Sequence, residues 1–137
     1  MNTLPPHFSH LIRTAWEARQ RAYAPYSHFL VGAALLCADG TVFTGCNVEN
    51  ASYGGTICAE RTAFVKAVSE GRRDFIAVAV SAGEGDTTPC GICRQFMYEF
   101  APDLTILIAD SAGKFTRQYT LRALLPDGFG PVQLGRP

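Results

Sequence analysis

Two short cysteine-containing stretches limit the folds that this chain can adopt. Residues 56–61 read Thr-Ile-Cys-Ala-Glu-Arg, and residues 89–94 read Pro-Cys-Gly-Ile-Cys-Arg. Together they supply the thiols of Cys58, Cys90 and Cys93. Three protein ligands leave a tetrahedral zinc ion with one open position, which is typical of a catalytic site and not of a structural one. A fold that uses such a site must bring two distant stretches to one point.

The pattern of apolar residues predicts an α/β domain. An apolar run over residues 30–37 is followed by Asp39-Gly40, a strong hairpin signal, and residues 41–48 return as the second strand. The other predicted elements are a helix over 5–21, a helix over 59–70, a strand over 75–80, a helix over 89–100 capped by Thr88, strands over 104–109 and 115–120, and a short helix over 121–125 capped by Thr120. Gly32 and the alanines after it are small, so a neighbouring element is expected to pack closely there.

The order of these elements predicts the topology. Strand, helix, strand, helix, strand over residues 42–109 implies two right-handed crossovers and a parallel segment. We therefore expect one domain over residues 1–137, a three-layer α/β/α arrangement with a mixed sheet of about five strands. Both cysteine stretches then lie at helix starts near the carboxyl ends of strands, where open α/β sheets place their sites.

Charge and composition exclude several classes of function. The chain has 12 Lys and Arg and 12 Asp and Glu, and a formal net charge of zero, which argues against a nucleic-acid-binding protein. No apolar stretch approaches the roughly 20 residues that span a bilayer. The first residues lack the basic start and apolar block of a signal peptide, so we expect no membrane association and a cytoplasmic location.

The cysteines allow three interpretations. A structural zinc site would need a fourth ligand, for which His7, His10 and His28 are candidates. A thioredoxin-like redox pair of Cys90 and Cys93 would leave the first stretch unused. A catalytic zinc site uses all three cysteines, and we prefer it. Five cysteines are an odd count, so a disulfide framework is the weaker alternative, and the remaining two, Cys37 and Cys46, are expected to be small buried apolar residues.

Three thiolates create a charge problem, because with zinc they sum to −1 and make a weak Lewis acid. Arg61, three residues after Cys58, is the expected compensating group, and Arg94 is a weaker candidate. Glu60 lies about 200° around a regular helix from Cys58, so both can reach one site only if the metal lies beyond the helix N-terminus. The alternative role for Glu60 is a capping-box acid, but a cap at Thr56 would require the acid one residue earlier.

At this point the sequence resembles the small, homotetrameric cytidine deaminases over about residues 10–131. The resemblance is carried by Cys58-Ala59-Glu60-Arg61, Pro89-Cys90-Gly91-Ile92-Cys93-Arg94-Gln95, Tyr26-Ser27-His28-Phe29-Leu30-Val31-Gly32-Ala33-Ala34, Asn47-Val48-Glu49-Asn50-Ala51 and Phe129-Gly130-Pro131. The cysteine motif alone indicates a broader deaminase superfamily. His28 stands where a lysine or another polar residue is common in the family.

The resemblance implies a reaction and a set of roles. It implies hydrolytic deamination of cytidine and 2′-deoxycytidine, with one zinc ion per subunit held by the three cysteines. Glu60 would transfer protons, and the backbone at Ala59 would hold the edge of the pyrimidine ring.

The resemblance also assigns the remaining contacts of the nucleoside. Asn47 and Glu49 would bind the ribose 3′-hydroxyl, although the residues alone fit a solvated strand end equally well. Phe29 would stack on the base, although an aromatic residue before a buried strand is more often core. Tyr53 and Phe129 would reach into a neighbouring subunit's site, which implies a homotetramer with sites at subunit interfaces.

Other functions remain open at this stage. A small deaminase acting on an aminonucleoside such as blasticidin S would share the cysteine motifs, although the Asn47 and Glu49 pair and the Phe129 tail favour cytidine. A polynucleotide deaminase is disfavoured by the zero net charge. A structural zinc module without enzymatic activity is the non-enzymatic alternative, and it would unfold on removal of zinc.

Overall fold

The apolar runs of the sequence form the centre of a five-stranded sheet. The computed structural model describes residues 4–136, and the strands are β1 (Gly32–Cys37), β2 (Val42–Cys46), β3 (Phe75–Ser81), β4 (Thr105–Ala109) and β5 (Phe115–Thr120). The helices are α1 (Pro6–Ala18), α2 (Ala59–Ser69), α3 (Gly91–Tyr98) and α4 (Leu121–Leu124), with 3₁₀ turns at Arg19–Arg21, Tyr53–Gly55 and Pro131–Leu134. No helix in the described part of the chain is both long and apolar enough to cross a membrane.

The strand order is β2-β1-β3-β4-β5, and the sheet is mixed. The hairpin strand β1 lies between β2 and β3 and is antiparallel to both, whereas β3 and β4 are parallel. The connection from β2 to β3 therefore passes over β1, and β2 and β3 run in the same direction without being neighbours. Their carboxyl ends lie at the same edge of the sheet, where α2 and α3 begin.

Helices cover both faces of the sheet, which confirms the predicted three-layer α/β/α arrangement. On one face, α1 packs Leu11 and Ala15 against Ala79 and Leu107. On the other face, α2 and α3 bury a larger apolar cluster of side chains from helices and strands that includes Phe64, Met97, Leu35, Val78 and Ile106. The central strands are buried on both sides, as their continuous apolar runs predicted.

Some local predictions were wrong. The N-cap of α3 is Cys90 and not Thr88, because the chain stays extended through Cys90. The Thr88 hydroxyl instead accepts a hydrogen bond from Arg94 at 2.9 Å. Cys37 is buried as expected, but Cys46 is only half-buried, and its thiol donates to the carbonyl of Arg21. Thr120 caps α4 as predicted.

Two glycines allow helices to approach the sheet closely. A Cβ atom at Gly32 would lie 2.0 Å from the carbonyl oxygen of Ala15 in α1, which explains the run of small residues in β1. A Cβ atom at Gly45 would lie 2.2 Å from the carbonyl oxygen of Ala59 and 2.6 Å from the amide nitrogen of Ala63. The first turn of α2 therefore rests directly on β2, and Gly45 sets where that helix begins.

We expect Gly45→Ala to destabilise the protein by at least about 2 kcal/mol, because the added methyl group collides with backbone that cannot move without displacing α2. Chemical denaturation of the variant measures this change. Gly54→Ala is the matched control, since a Cβ atom at Gly54 meets nothing within 4 Å. Equal unfolding midpoints for the two variants would contradict this account of the packing.

Candidate active site

The two cysteine stretches meet at the starts of α2 and α3. Cys58 is the N-cap residue of α2, Cys90 is the N-cap residue of α3, and Cys93 lies in the first turn of α3. Their three sulfur atoms lie within 4.8 Å of one another, and those of Cys58 and Cys90 are 3.8 Å apart. Tetrahedral bonds of about 2.3 Å to one zinc ion place sulfur atoms about 3.8 Å apart, so the three thiols fit this ion.

The group has three members and not four. Among the residues that the structure describes, it is the only cluster of three or more potential metal ligands, and His7, His10 and His28 do not belong to it. A set of three ligands leaves a tetrahedral ion open at its fourth position, which is the arrangement of catalytic zinc sites. The geometry therefore does not support a closed structural site built with a histidine.

The surroundings of the thiols favour negative charge. Two helix N-termini point their partial positive charge at the cluster. A hydrogen bond shared with Cys93, and another from Arg61, lower the pKa of Cys58 to about 5. The bond to Cys58 and burial raise the pKa of the Cys93 thiol, because a single proton is retained between the two sulfur atoms.

Arg61 lies against the thiol cluster. Its Nη2 donates to the sulfur of Cys58 at 3.5 Å and to the carbonyl of Thr56 at 3.4 Å. Its Nε is buried and has no hydrogen-bond partner among the described residues. A buried guanidinium Nε–H without an acceptor is costly unless an anionic group lies beside it, and the deprotonated thiolates of a metal site are such a group.

Glu60 is a buried acid at the second position of α2. It is 4% exposed, and burial raises its pKa to about 7. The cap of this helix is Cys58, and no side-chain capping bond forms there, so Glu60 is not the acid of a capping box. A carboxyl group whose pKa is near neutrality can both accept and donate a proton, which suits a general acid–base role.

A cavity of ≈ 280 Å³ joins these groups to most of the other predicted site residues. Its lining consists of Ser27, Phe29, Val31, Asn47, Glu49, Thr56, Cys58, Ala59, Glu60, Val80, Ala82, Thr87, Thr88 and Cys90. It has an apolar wall and a few polar groups, which is the usual composition of a small-molecule site. Phe29 is 45% exposed and its ring lies over Gly83, so it forms a wall of the cavity and is not a core residue.

Asn47 and Glu49 follow β2 and supply polar groups to the cavity lining. Asn47 is 8% exposed; its Oδ1 accepts from the amide of Val31 at 2.9 Å, and its Nδ2 donates to the carbonyl of Phe29 at 2.8 Å. The Glu49 carboxylate accepts from the backbone amides of Tyr26 and Ser27 and from the Ser27 hydroxyl. The hydrogen bond from Ser27 is the main cause of a lowered pKa for Glu49. The pair is therefore not a solvated strand end.

Two of the predicted substrate-binding residues lie outside this cavity. Tyr53 is 73% exposed and packs edge-on against Tyr26, beside a neighbouring depression that Glu49 also borders. Phe129 is 54% exposed, and its carbonyl accepts a hydrogen bond from Gln95 at 2.8 Å. The described chain brings neither aromatic ring to the thiols.

Sequence reasoning missed several lining residues. Val80 and Ala82 lie at the carboxyl end of β3, and the rule that α/β sheets bind ligands at that edge could have indicated them. Ser27 and Thr88 gave no such signal, because their roles depend on hydrogen bonds to Glu49 and Arg94 that only the folded chain creates.

An open three-thiolate centre with a buried acid at the edge of an α/β sheet defines a zinc-dependent enzyme site. Residues 7–109 match the family described as cytidine and deoxycytidylate deaminase zinc-binding region. A cytidine deaminase of Halalkalibacterium halodurans is 52% identical over 121 residues, 87% of this chain and 91% of the relative.

Solved structures agree with the match. The crystal structure of cytidine deaminase from Burkholderia pseudomallei has a TM-score of 0.85 and 48% identity, covering 92% of this chain and 100% of its own. The crystal structure of cytidine deaminase from Mycobacterium tuberculosis has a TM-score of 0.77 and 44% sequence identity. The match covers 90% of this chain and 97% of that chain. The chain belongs to the cytidine and deoxycytidylate deaminase family, and its cofactor is zinc.

We expect Arg61→Ala to lower zinc affinity about 10- to 100-fold, because the thiolates lose their cationic neighbour. Competition with a chromophoric chelator measures the affinity without any substrate. Lys66→Ala is the control, since Lys66 is on the same helix but donates to Thr44 away from the cavity. Unchanged affinity and unchanged turnover in Arg61→Ala would rule out the compensating role.

Proposed function

We propose that this chain catalyses the hydrolytic deamination of cytidine and 2′-deoxycytidine to uridine and 2′-deoxyuridine, releasing ammonia, as a step of pyrimidine salvage. One observation carries the proposal: the buried carboxyl group of Glu60 lines one cavity with Cys58 and Cys90, whose thiols converge with that of Cys93 at the starts of two helices. The names of the relatives, cytidine deaminases at up to 52% identity among those compared, support the choice of substrate.

The chemistry is divided between the cofactor and Glu60. Cys58, Cys90 and Cys93 would hold the zinc ion, which would supply Lewis-acid activation of the attacking water at neutral pH. Glu60 would accept one proton from the attacking water and deliver it to N3 of the ring. It would then take the remaining proton from the hydroxyl at C4 as the carbonyl forms and give that proton to the amine, which leaves as ammonia. Its pKa of about 7 suits both directions of transfer.

The base fits the apolar part of the cavity. Phe29 offers an exposed ring for stacking, and Val80 and Ala82 add further apolar surface to the cavity. Ala59 is the first residue of α2, and the amide groups of a first helical turn have no partner within the helix. Backbone donors at Ala59 can therefore hold the ring carbonyl or the N3 edge.

The sugar fits the polar rim. After its bonds to Phe29 and Val31, the Asn47 amide keeps one N–H and one lone pair, and the Glu49 carboxylate keeps one lone pair, on Oε2. A 3′-hydroxyl can donate to one and accept from the other. The negative charge of Glu49 disfavours a phosphate at the sugar, so nucleosides are the better substrates.

The assembly we propose is a homotetramer with sites at subunit interfaces. Tyr53 and Phe129 are exposed aromatic residues, and the tail also exposes Val132 and Leu134. Exposed apolar groups clustered on one segment are typical of an interface. We also propose a cytoplasmic location, because all five cysteines are free and the three zinc ligands must stay reduced.

A single ultraviolet assay tests the function. We expect turnover of cytidine and deoxycytidine, little or none of CMP, cytosine and blasticidin S, and loss of activity with a zinc chelator. Glu60→Gln keeps a side chain of equal size, so it should retain zinc while kcat falls about 10²- to 10⁴-fold. Preferred turnover of blasticidin S, or full activity of Glu60→Gln, would refute the proposal.

The interface role of Phe129 has its own test. Phe129→Ala should lower kcat/KM for cytidine at least about tenfold while zinc content stays equal to that of the wild type, because the lost ring belongs to a neighbour's site. Size-exclusion chromatography reports the assembly. Val65→Ala, which removes an exposed apolar side chain from α2, is the control. A monomer with full activity would contradict this arrangement.

A further inference from the structure

Arg94 follows the zinc ligand Cys93, but its guanidinium is bound to uncharged oxygens. Its Nε donates to the carbonyl of Pro89 at 2.7 Å, and its Nη2 donates to the hydroxyl of Thr88 at 2.9 Å. Its Nη1 donates to the carbonyl of Leu124 at 2.8 Å. Each of the three guanidinium nitrogens donates one hydrogen bond, so the side chain is held in one orientation.

Two of these bonds fix the segment that carries Cys90. Residues 82–90 connect β3 to α3 and contain no helix or strand, so no backbone ladder holds their end. Pro89 has no N–H group and cannot anchor the segment by donating a bond. Arg94 therefore holds the two residues immediately before Cys90, and Thr88 is also part of the cavity wall.

The third bond connects the segment to a rigid element. Leu124 is the last residue of α4, and the last carbonyl groups of a helix have no partner within it. This short helix is fixed to the core by Leu121, which is fully buried. The guanidinium of Arg94 therefore bridges the ligand-bearing segment and the helix that precedes the tail.

We propose that Arg94 is a positioning residue that places the Cys90 thiol for zinc through this bridge, whereas Arg61 balances the charge of the thiolates. The proposal rests on the zinc site of the proposed function. It assigns different roles to Arg61 and Arg94, which the sequence presents as alternatives for balancing the charge of the thiolates. Arg61 contacts sulfur, and the three guanidinium bonds of Arg94 within the described residues go to oxygen.

Lysine cannot replace this fork, because one ammonium group on a flexible chain does not span three acceptors in fixed directions. Arg94→Lys keeps the positive charge but loses the bridge. We expect its zinc affinity to fall about 10- to 100-fold, the usual effect of losing a group that orients a metal ligand. A charge-balancing role would instead leave the affinity of Arg94→Lys near that of the wild type.

The experiment measures zinc affinity by chelator competition on the full chain, and the thiolate-to-metal absorption of the cobalt-substituted protein. We expect Arg94→Lys to weaken affinity and to lower the cobalt absorption per metal, because one sulfur is displaced. Arg122→Lys is the matched control on α4, where Arg122 pairs with Asp103 at 2.8 Å on the surface. It should change neither quantity more than about twofold.

Thr88→Val provides a second variant if Arg94→Lys does not fold, since it removes a single acceptor of the fork and keeps the side-chain shape. It should lower zinc affinity at least about threefold. Wild-type affinity and cobalt absorption in Arg94→Lys, or in Thr88→Val where the first variant does not fold, would overturn the positioning role. So would an equal loss in Arg122→Lys. These readouts need no turnover, so a wild type that binds zinc but does not deaminate cytidine would refute the proposed activity alone.

Discussion

The contact between α2 and β2 at Gly45 is the constraint on which the site depends. The absence of a side chain lets the carbonyl of Ala59 and the amide of Ala63 rest on the strand. That contact fixes the first turn of α2, and this turn carries a metal ligand at its cap, the backbone donors at Ala59 and the acid Glu60. A shift of this helix would move all three together, so the precision of the site depends on a packing contact that involves no metal ligand.

The electrostatics of the site follow from the same placement. Two helix N-termini and Arg61 supply positive potential at the thiol cluster, and hydrogen bonds from Cys93 and Arg61 lower the pKa of Cys58. Glu60 is held in the same turn but faces the enclosed cavity, where burial favours its protonated form. The start of α2 therefore combines a thiol that ionises readily with a carboxyl group whose pKa lies near neutrality.

The rim of the cavity shows how one side chain can serve both structure and binding. The Asn47 side chain forms hydrogen bonds with the backbone of Phe29 and Val31. The Glu49 carboxylate accepts a hydrogen bond from the preceding loop, at the amide of Tyr26. The Phe29 ring is thereby fixed relative to the polar groups that would hold a sugar. Under the proposed roles, a substitution at Asn47 would change the position of the Phe29 ring as well as a hydrogen bond, so its effects on base and sugar binding would be coupled.

The sequence by itself determined the chemistry and the layers. The informative signals are local: the spacing within each cysteine motif, the Asp39-Gly40 turn and the apolar periodicity. Such signals can be read without knowing which distant residues each segment will contact. The tertiary structure decided what depends on distant partners: the insertion of β1 between β2 and β3, the extended backbone that makes Cys90 the cap in place of Thr88, and the bonds of Arg94 to Leu124 and of Glu49 to Ser27. Such hydrogen bonds join residues far apart in the chain, and no periodicity or propensity records which acceptor a side chain will meet.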